Sequence, residues 1–168
     1  MSQQLKVTAI AAMTRDRVIG TGQGIPWNLP EDHAHFRAYT AGKTLLIGRS
    51  TFQEMLGWFS DHRPIVLTSN PSYQNPAAAA VVASVDEAVS VATGWSASEL
   101  VVCGGATTYT AALPHTTDAI LTEIDASFPG KARFPELLAS EWEIKSNTGY
   151  PASSTSRMNY SIVHYTRR

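Results

Sequence analysis

Between positions 30 and 39 the chain reads Pro30-Glu31-Asp32-His33-Ala34-His35-Phe36-Arg37-Ala38-Tyr39. The steps from 32 to 36 and from 36 to 39 are four and three residues, so Asp32, Phe36 and Tyr39 share one helical face. A carboxylate beside two aromatic rings has two readings. An acid in a first helical turn complements the positive end of the helix dipole and needs no other role. A carboxylate facing an apolar interior has its pKa raised by desolvation, and folded chains seldom keep such a charge unpaired, which makes it a candidate acid-base or hydrogen-bonding group. The residues themselves leave these readings level. His33 and His35 stand two apart on the helix and cannot face one ion together. Trp27, beside Pro26, is either a core aromatic or the wall of a cofactor site. Ser50 and Ser69 lack a G-x-S-x-G setting, and Cys103 falls at the end of a buried strand, so nucleophilic catalysis fits poorly.

Three glycine-bearing turns are the other candidates: Gly48-Arg49-Ser50-Thr51, Gly104-Gly105-Ala106-Thr107, and the looser Gly20-Thr21-Gly22-Gln23-Gly24. The first two follow apolar runs and precede helical patterns. Helix N-termini offer unpaired amides and a positive dipole end, and strand-to-helix turns lie at the carboxyl edge of a sheet, where open α/β sheets bind ligands. A nucleotide with several phosphates suits such a pair. Ordinary turns would look the same, and none matches the dinucleotide fingerprint or a P-loop.

The elements that must position these groups alternate along the chain. Leu5 to Met13 reads as a strand buried on both faces. Thr14 to Asn28, rich in glycine, reads as a long functional loop. Pro30 opens a helix to Thr40. Strands are expected at 44–47, 65–67, 81–83, 100–103 and 119–124, with helices at about 50–56, 84–92 and 107–113. Ser84-Val85-Asp86-Glu87 has the spacing of a capping box. Trp142 to Ile144 and the alternating tail from about Met158 to Tyr165 complete the set. The expected fold class is α/β: a single domain, residues 1–168, with a central mixed, mostly parallel sheet flanked by helices and an antiparallel C-terminal hairpin.

Composition restricts the function classes. The chain has 168 residues, 43% hydrophobic and 16% charged, with a formal net charge of -1, which disfavours disorder and nucleic acid as a main partner. One cysteine allows neither an internal disulfide nor a cysteine-based zinc site, and no run approaches the ~20 apolar residues of a membrane helix. A cytoplasmic monomer with a small-molecule substrate is expected.

Taken in order, Val18-Ile19-Gly20, the block Ile25-Pro26-Trp27-Asn28-Leu29-Pro30-Glu31-Asp32, Phe36, Ile47-Gly48-Arg49-Ser50-Thr51, Val102-Cys103-Gly104-Gly105, Tyr109 and Leu121-Thr122-Glu123-Ile124-Asp125 resemble the dihydrofolate reductase family. The Pro-Trp-x-Leu-Pro-x-Asp arrangement carries most of the likeness and favours the site reading of Asp32. The resemblance implies an oxidoreductase that transfers a hydride from NADPH to dihydrofolate, without metal, in one-carbon metabolism. It implies that Asp32 holds the amino-pyrimidine edge of the pterin, backed by Thr122, with Trp27 ordering a nearby water and Tyr109 against the nicotinamide. Ile10, Ala12, Ile25, Phe36, Met55 and Cys103 would line the slot, with His33, Arg37, His62 and Arg63 toward the substrate's tail. Cofactor contacts would come from Ala12, Ile19, Gly20, Gly48, Arg49, Ser50, Thr51, Leu67, Ser69, Cys103, Gly104, Gly105, Ala106, Thr107, Thr108 and Tyr109. A guanidinium at Arg49 suits a 2′-phosphate, and a cis peptide is expected at Gly104-Gly105.

The chain departs from the family at four places. His62 stands where an arginine usually clamps the substrate's glutamate carboxylate, with Arg63 as a substitute only if the chain before Pro64 is irregular, since neighbours along a strand point to opposite faces. Lys131 stands where an aspartate often tethers the active-site loop. His33 follows the carboxylate, and Ala106 replaces a common third glycine. Weaker tail binding that varies with pH is the expected result at His62. Two other readings are a reductase of the same fold acting on another pterin or a pyrimidine, and a non-catalytic NADPH-binding module, which would have no use for Asp32, Trp27 and Thr122.

Overall fold

The computed structural model describes residues 4–20 and 27–168. Gly22, Gly24, Ile25 and Pro26, named above, lie outside the described residues. Among the described residues, ten strands and four α-helices follow one another as β1 (Lys6–Thr14), β2 (Val18–Gly20), α1 (Pro30–Thr40), β3 (Thr44–Gly48), α2 (Arg49–Glu54), β4 (Arg63–Leu67), β5 (Ala80–Val82), α3 (Val85–Gly94), β6 (Glu99–Val102), α4 (Ala106–Ala112), β7 (Asp118–Ile124), β8 (Ala132–Arg133), β9 (Trp142–Tyr150) and β10 (Tyr160–Arg167). Eight strands form one sheet in the order β5-β4-β3-β6-β1-β7-β10-β9. Its members from β5 to β7 run parallel, and β10 pairs antiparallel with both β7 and β9. The expected fold class is the observed one.

Successive side chains on a strand face opposite sides, and the core sorts accordingly. Val7, Ala9, Leu46, Ile65, Leu100 and Val102 pack with Val85, Ala88 and Ala92 of α3 and with Tyr109 and Ala112 of α4. Their neighbours Ile10, Leu45, Ile47, Val66, Val101 and Cys103 pack on the other face with Phe52 of α2, and Phe36 and Tyr39 of α1 lean on that group. With helices on both faces, these strands are near-continuous apolar runs. The Ser84 half of the capping box forms as its spacing predicts, while the Glu87 side chain reaches one residue further back. The Glu87 amide donates to Ser84 Oγ at 3.1 Å, and the Glu87 carboxylate accepts from the Ala83 amide at 2.9 Å.

The expected element boundaries shift by one to a few residues. Arg49 already belongs to α2, Met55 and Leu56 lie beyond its end, and Pro114 sits within a short 3₁₀ turn, Leu113–His115, that continues α4. Two elements were not expected at all. β2 and β8 form a small antiparallel ladder, pairing Val18 with Arg133 and Gly20 with Ala132. A ladder of two or three residues has no room to display a period of two. Lys131 is exposed immediately before β8.

Candidate active site

Asp32 sits in the first turn of α1, which begins at Pro30 and has no side-chain cap. Thr122 lies within β7, opposite Ala12 on β1 and Ile162 on β10. The buried Thr122 hydroxyl donates to Asp32 Oδ1 at 2.7 Å. Burial is the main influence on the Asp32 carboxyl and lifts its pKa above the ordinary carboxylate value, against the opposing pull of the Thr122 hydrogen bond and of His35 and His33 nearby. The acid is therefore a group that takes up a proton more readily than a surface aspartate. The shared face inferred from sequence is realised, since Phe36 and Tyr39 pack on the cluster holding Ile10 and Cys103, with Met55 beside them.

Trp27 is buried in a separate group with Leu29, Ile124 and Tyr160, and its ring centroid lies 6.0 Å from that of Phe128. Ala12 packs against this group. Tyr109, on α4, donates its hydroxyl to the Ile10 carbonyl of the central strand β1 at 2.6 Å. Its full burial pushes the phenol pKa well above the ordinary value, so it stays a donor. Burial pushes the Cys103 thiol up as well, which keeps it protonated and removes thiolate chemistry.

The two glycine turns interlock at the carboxyl ends of β3 and β6. The Gly48 amide donates to the Gly104 carbonyl at 2.8 Å. A Cβ at Gly48 would lie 2.7 Å from Thr108 Oγ1, and one at Gly105 would lie 3.2 Å from Thr51 Oγ1, so larger residues would drive the turns apart. Gly104 has a φ of 118°, and the Gly104–Gly105 peptide is cis, as expected. Gly48 and Gly105 are the N-cap residues of α2 and α4, and neither helix carries a side-chain cap. The first-turn amides of both helices thus have no side-chain acceptor, the arrangement that suits phosphate oxygens. Arg49 and Ser50 are exposed at the start of α2, with the Arg49 guanidinium 5.9 Å from the Tyr73 ring centroid. Leu67 ends β4, Ser69 is exposed just beyond it, and Ala106 and Thr107 open α4. Ile19 and Gly20 lie on β2, beyond the end of β1.

The expected tail contacts divide. His62 stacks on Trp58 with ring centroids 4.3 Å apart and planes 18° from parallel, and Trp58 in turn stacks on Phe36 at 5.2 Å. His62 Nε2 is 3.4 Å from Thr40 Oγ1, while Nδ1 is buried with no partner among the described residues. Burial holds the His62 pKa below the ordinary histidine value, against a smaller pull from Asp61. Arg63 faces away, its guanidinium 3.8 Å from the Trp95 ring centroid, because neighbours at the start of β4 point to opposite faces of the sheet. That corrects its assignment beside His62. His33 and Arg37 are exposed, one turn apart on α1. Tyr73 and Trp58 escaped the sequence reading because both lie in connections without periodicity. Among the described residues no group of three His, Cys, Asp or Glu side chains is placed to hold a metal ion.

Similarity to known proteins points in one direction. The family model described as dihydrofolate reductase matches residues 6–167. A dihydrofolate reductase of Neisseria gonorrhoeae is 38% identical over 162 residues, 96% of this chain and 98% of that protein. One from Bacillus subtilis is 30% identical over 162 residues, 96% of this chain and 95% of that protein. Among solved structures, dihydrofolate reductase from Enterococcus faecalis complexed with NADP(H) and RAB-propyl superposes with a TM-score of 0.89 at 31% identity, covering 98% of each chain.

Proposed function

The chain belongs to the dihydrofolate reductase family, and we propose that its NADPH-dependent reduction of 7,8-dihydrofolate to tetrahydrofolate is carried out by the residues gathered around Asp32. One observation carries this reading: a half-buried carboxylate, gripped by Thr122, stands at the same sheet edge as two interlocked glycine turns with uncapped helices behind them. NADPH supplies the hydride, which passes to C6 of the pterin. The uncapped starts of α2 and α4 suit its phosphates, and the exposed Arg49 suits the 2′-phosphate that distinguishes it from NADH. Asp32 accepts a pair of hydrogen bonds from the amino-pyrimidine edge, one on each carboxylate oxygen, with Oδ1 also accepting from the Thr122 hydroxyl. Its negative charge favours a proton at N5, which must be gained as C6 receives the hydride. Tyr109, fixed to the Ile10 carbonyl, holds the floor under the reacting rings, and the apolar side chains of Ile10, Phe36 and Met55 keep water from the slot.

All of these groups lie in one chain and around one continuous sheet, which supports reading residues 1–168 as one domain that works as a monomer. Among the described residues no helix is long and apolar enough to cross a membrane, and a cytoplasmic setting fits an enzyme fed by NADPH. The reading is tested by following NADPH oxidation with dihydrofolate in the presence of a chelator. Sustained turnover supports it, whereas NADPH binding without turnover of any dihydropterin would leave only the binding-module reading.

The tail contact carries its own expectation. Because burial keeps His62 neutral further into acid than a free histidine, it offers the substrate's carboxylate no charge at neutral pH, and the pH-dependent window expected near ~6.5 moves below that value. His62→Arg should tighten dihydrofolate by roughly 1–3 kcal/mol through a charge-assisted clamp, nearly evenly across neutral pH. A dihydropterin without glutamate should bind the variant unchanged. Equal tightening of both would place the tail elsewhere, with Arg37 the next cation to examine.

A further inference from the structure

The slot for the pterin is bounded by α1, and α1 is held off the sheet chiefly by side chains rather than by close backbone packing. Asp32 and Thr122 tie its first turn to β7. At its other end a second tie has no part in the mechanism above. The Tyr39 hydroxyl donates to Glu99 Oε2 at 2.5 Å, the Thr8 hydroxyl donates to the same oxygen at 2.6 Å, and Lys43 Nζ meets Glu99 Oε1 at 3.0 Å. Glu99 begins β6 and Thr8 lies on β1, so the last turn of α1 is pinned to the two central strands at the end of the sheet opposite the chemistry. The Lys43 ammonium also lies 3.7 Å from the Tyr39 ring centroid, which blocks the ring from swinging out.

We propose that Glu99 is a positioning residue for the dihydropterin: through Tyr39 it fixes the tilt of α1 and hence the width of the slot between Phe36 and the sheet. The carboxylate keeps its charge in this setting, because the hydrogen bonds from Thr8, Tyr39 and Lys43 outweigh the desolvation that burial imposes. A neutral carboxyl or an amide at this position would grip the phenol less firmly. The helix is a short rigid rod, so loss of the far tie rotates it about Asp32, displacing Phe36 and the stacked Trp58 and His62 while leaving the hydride donor's cradle on α2 and α4 in place. The inference rests on the reductase reading of the Asp32 site.

The test uses the full-length enzyme and the variants Tyr39→Phe, Glu99→Gln and the two combined. Each single change should raise the KM for dihydrofolate about five- to tenfold, change kcat less than about twofold, and leave the Kd for NADPH unaltered, the pattern of lost binding common to ground and transition states. Because the Tyr39–Glu99 bond is what links Glu99 to the slot, the double variant should be no worse than the more severe of the two single ones. A native KM in Tyr39→Phe, with or without a lower melting temperature, would reduce the cluster to a structural role. Parallel losses of dihydrofolate and NADPH affinity would do the same. Should Glu99→Gln fold poorly, Tyr39→Phe decides alone, since it leaves Glu99 bonded to Thr8 and Lys43. Absence of turnover in the unmodified enzyme would overturn the reductase reading instead, a result separable from all of these.

Discussion

Asp32→Asn will cut turnover at neutral pH by about 10²–10⁴-fold, the usual contribution of a positioned acid-base group, while NADPH binding and the fold persist. The amide keeps the shape of the carboxylate, and its oxygen still accepts from the Thr122 hydroxyl, so the tie between α1 and β7 survives. What disappears is the charge that favours protonation at N5. Stability moves in the opposite direction to activity. Burial raises the folded-state pKa of Asp32 above its unfolded value, so the folded protein binds that proton more tightly than the unfolded chain. The stabilisation this provides is complete below the unfolded pKa and is lost as pH rises through the folded one. At neutral pH the charged group is therefore a burden on the fold, and the melting temperature of Asp32→Asn should equal or exceed that of the parent. A variant with native turnover, or one that melts earlier because α1 has come loose, would refute the assigned role.

Arg49→Ala will weaken NADPH by roughly ten- to a hundredfold and NADH by less than about twofold. A charge-assisted contact to phosphate is worth about 1.5–3 kcal/mol, and NADH has no 2′-phosphate for the guanidinium to meet. The side chain is exposed beside Tyr73 at the first position of α2, with no carboxylate partner among the described residues, so its removal should cost the fold little. Competition titrations of both nucleotides against parent and variant provide the comparison. Equal weakening of the two would move the 2′-phosphate away from Arg49.

The parts of this architecture that could be read from the sequence are those with local causes. The two-residue alternation that divides Leu45 and Ile47 from Leu46 also made their strand an unbroken apolar run, and the run was visible before the faces were. Ser84 and Glu87 announced the start of α3 because capping is a contact between near neighbours. The spacing of Asp32, Phe36 and Tyr39 gave their common face, yet spacing alone left Asp32 undecided between a helix-end acid and a site. Its partner Thr122 lies 90 residues away, beyond the reach of spacing; the family resemblance named the pair, and the pairing of β1 with β7 brings it together. Other features had no local signature. Strand alternation already set Arg63 on the face opposite His62, but that its guanidinium would meet Trp95 there depends on packing that alternation does not record. The interlocking of Gly48 with Thr108 and of Gly105 with Thr51 depends on β3 and β6 being neighbours in the sheet, which no short window of sequence records.

The most direct measurement of the role of Asp32 is the single-turnover rate of hydride transfer from NADPH to dihydrofolate, followed in the parent enzyme and in Asp32→Asn from about pH 5 to about pH 9, a range that runs upward from ordinary carboxylate values. In the parent, the Asp32 charge helps N5 hold its proton, so the rate should level off on the acid side and begin to fall only at a higher pH than protonation of the free substrate would allow. In the variant, no group in the slot assists N5, so the rate should follow protonation of the free substrate, climbing steadily as pH falls and closing on the parent at the acid end. Two profiles of the same shape, differing only by a constant factor or not at all, would contradict the account.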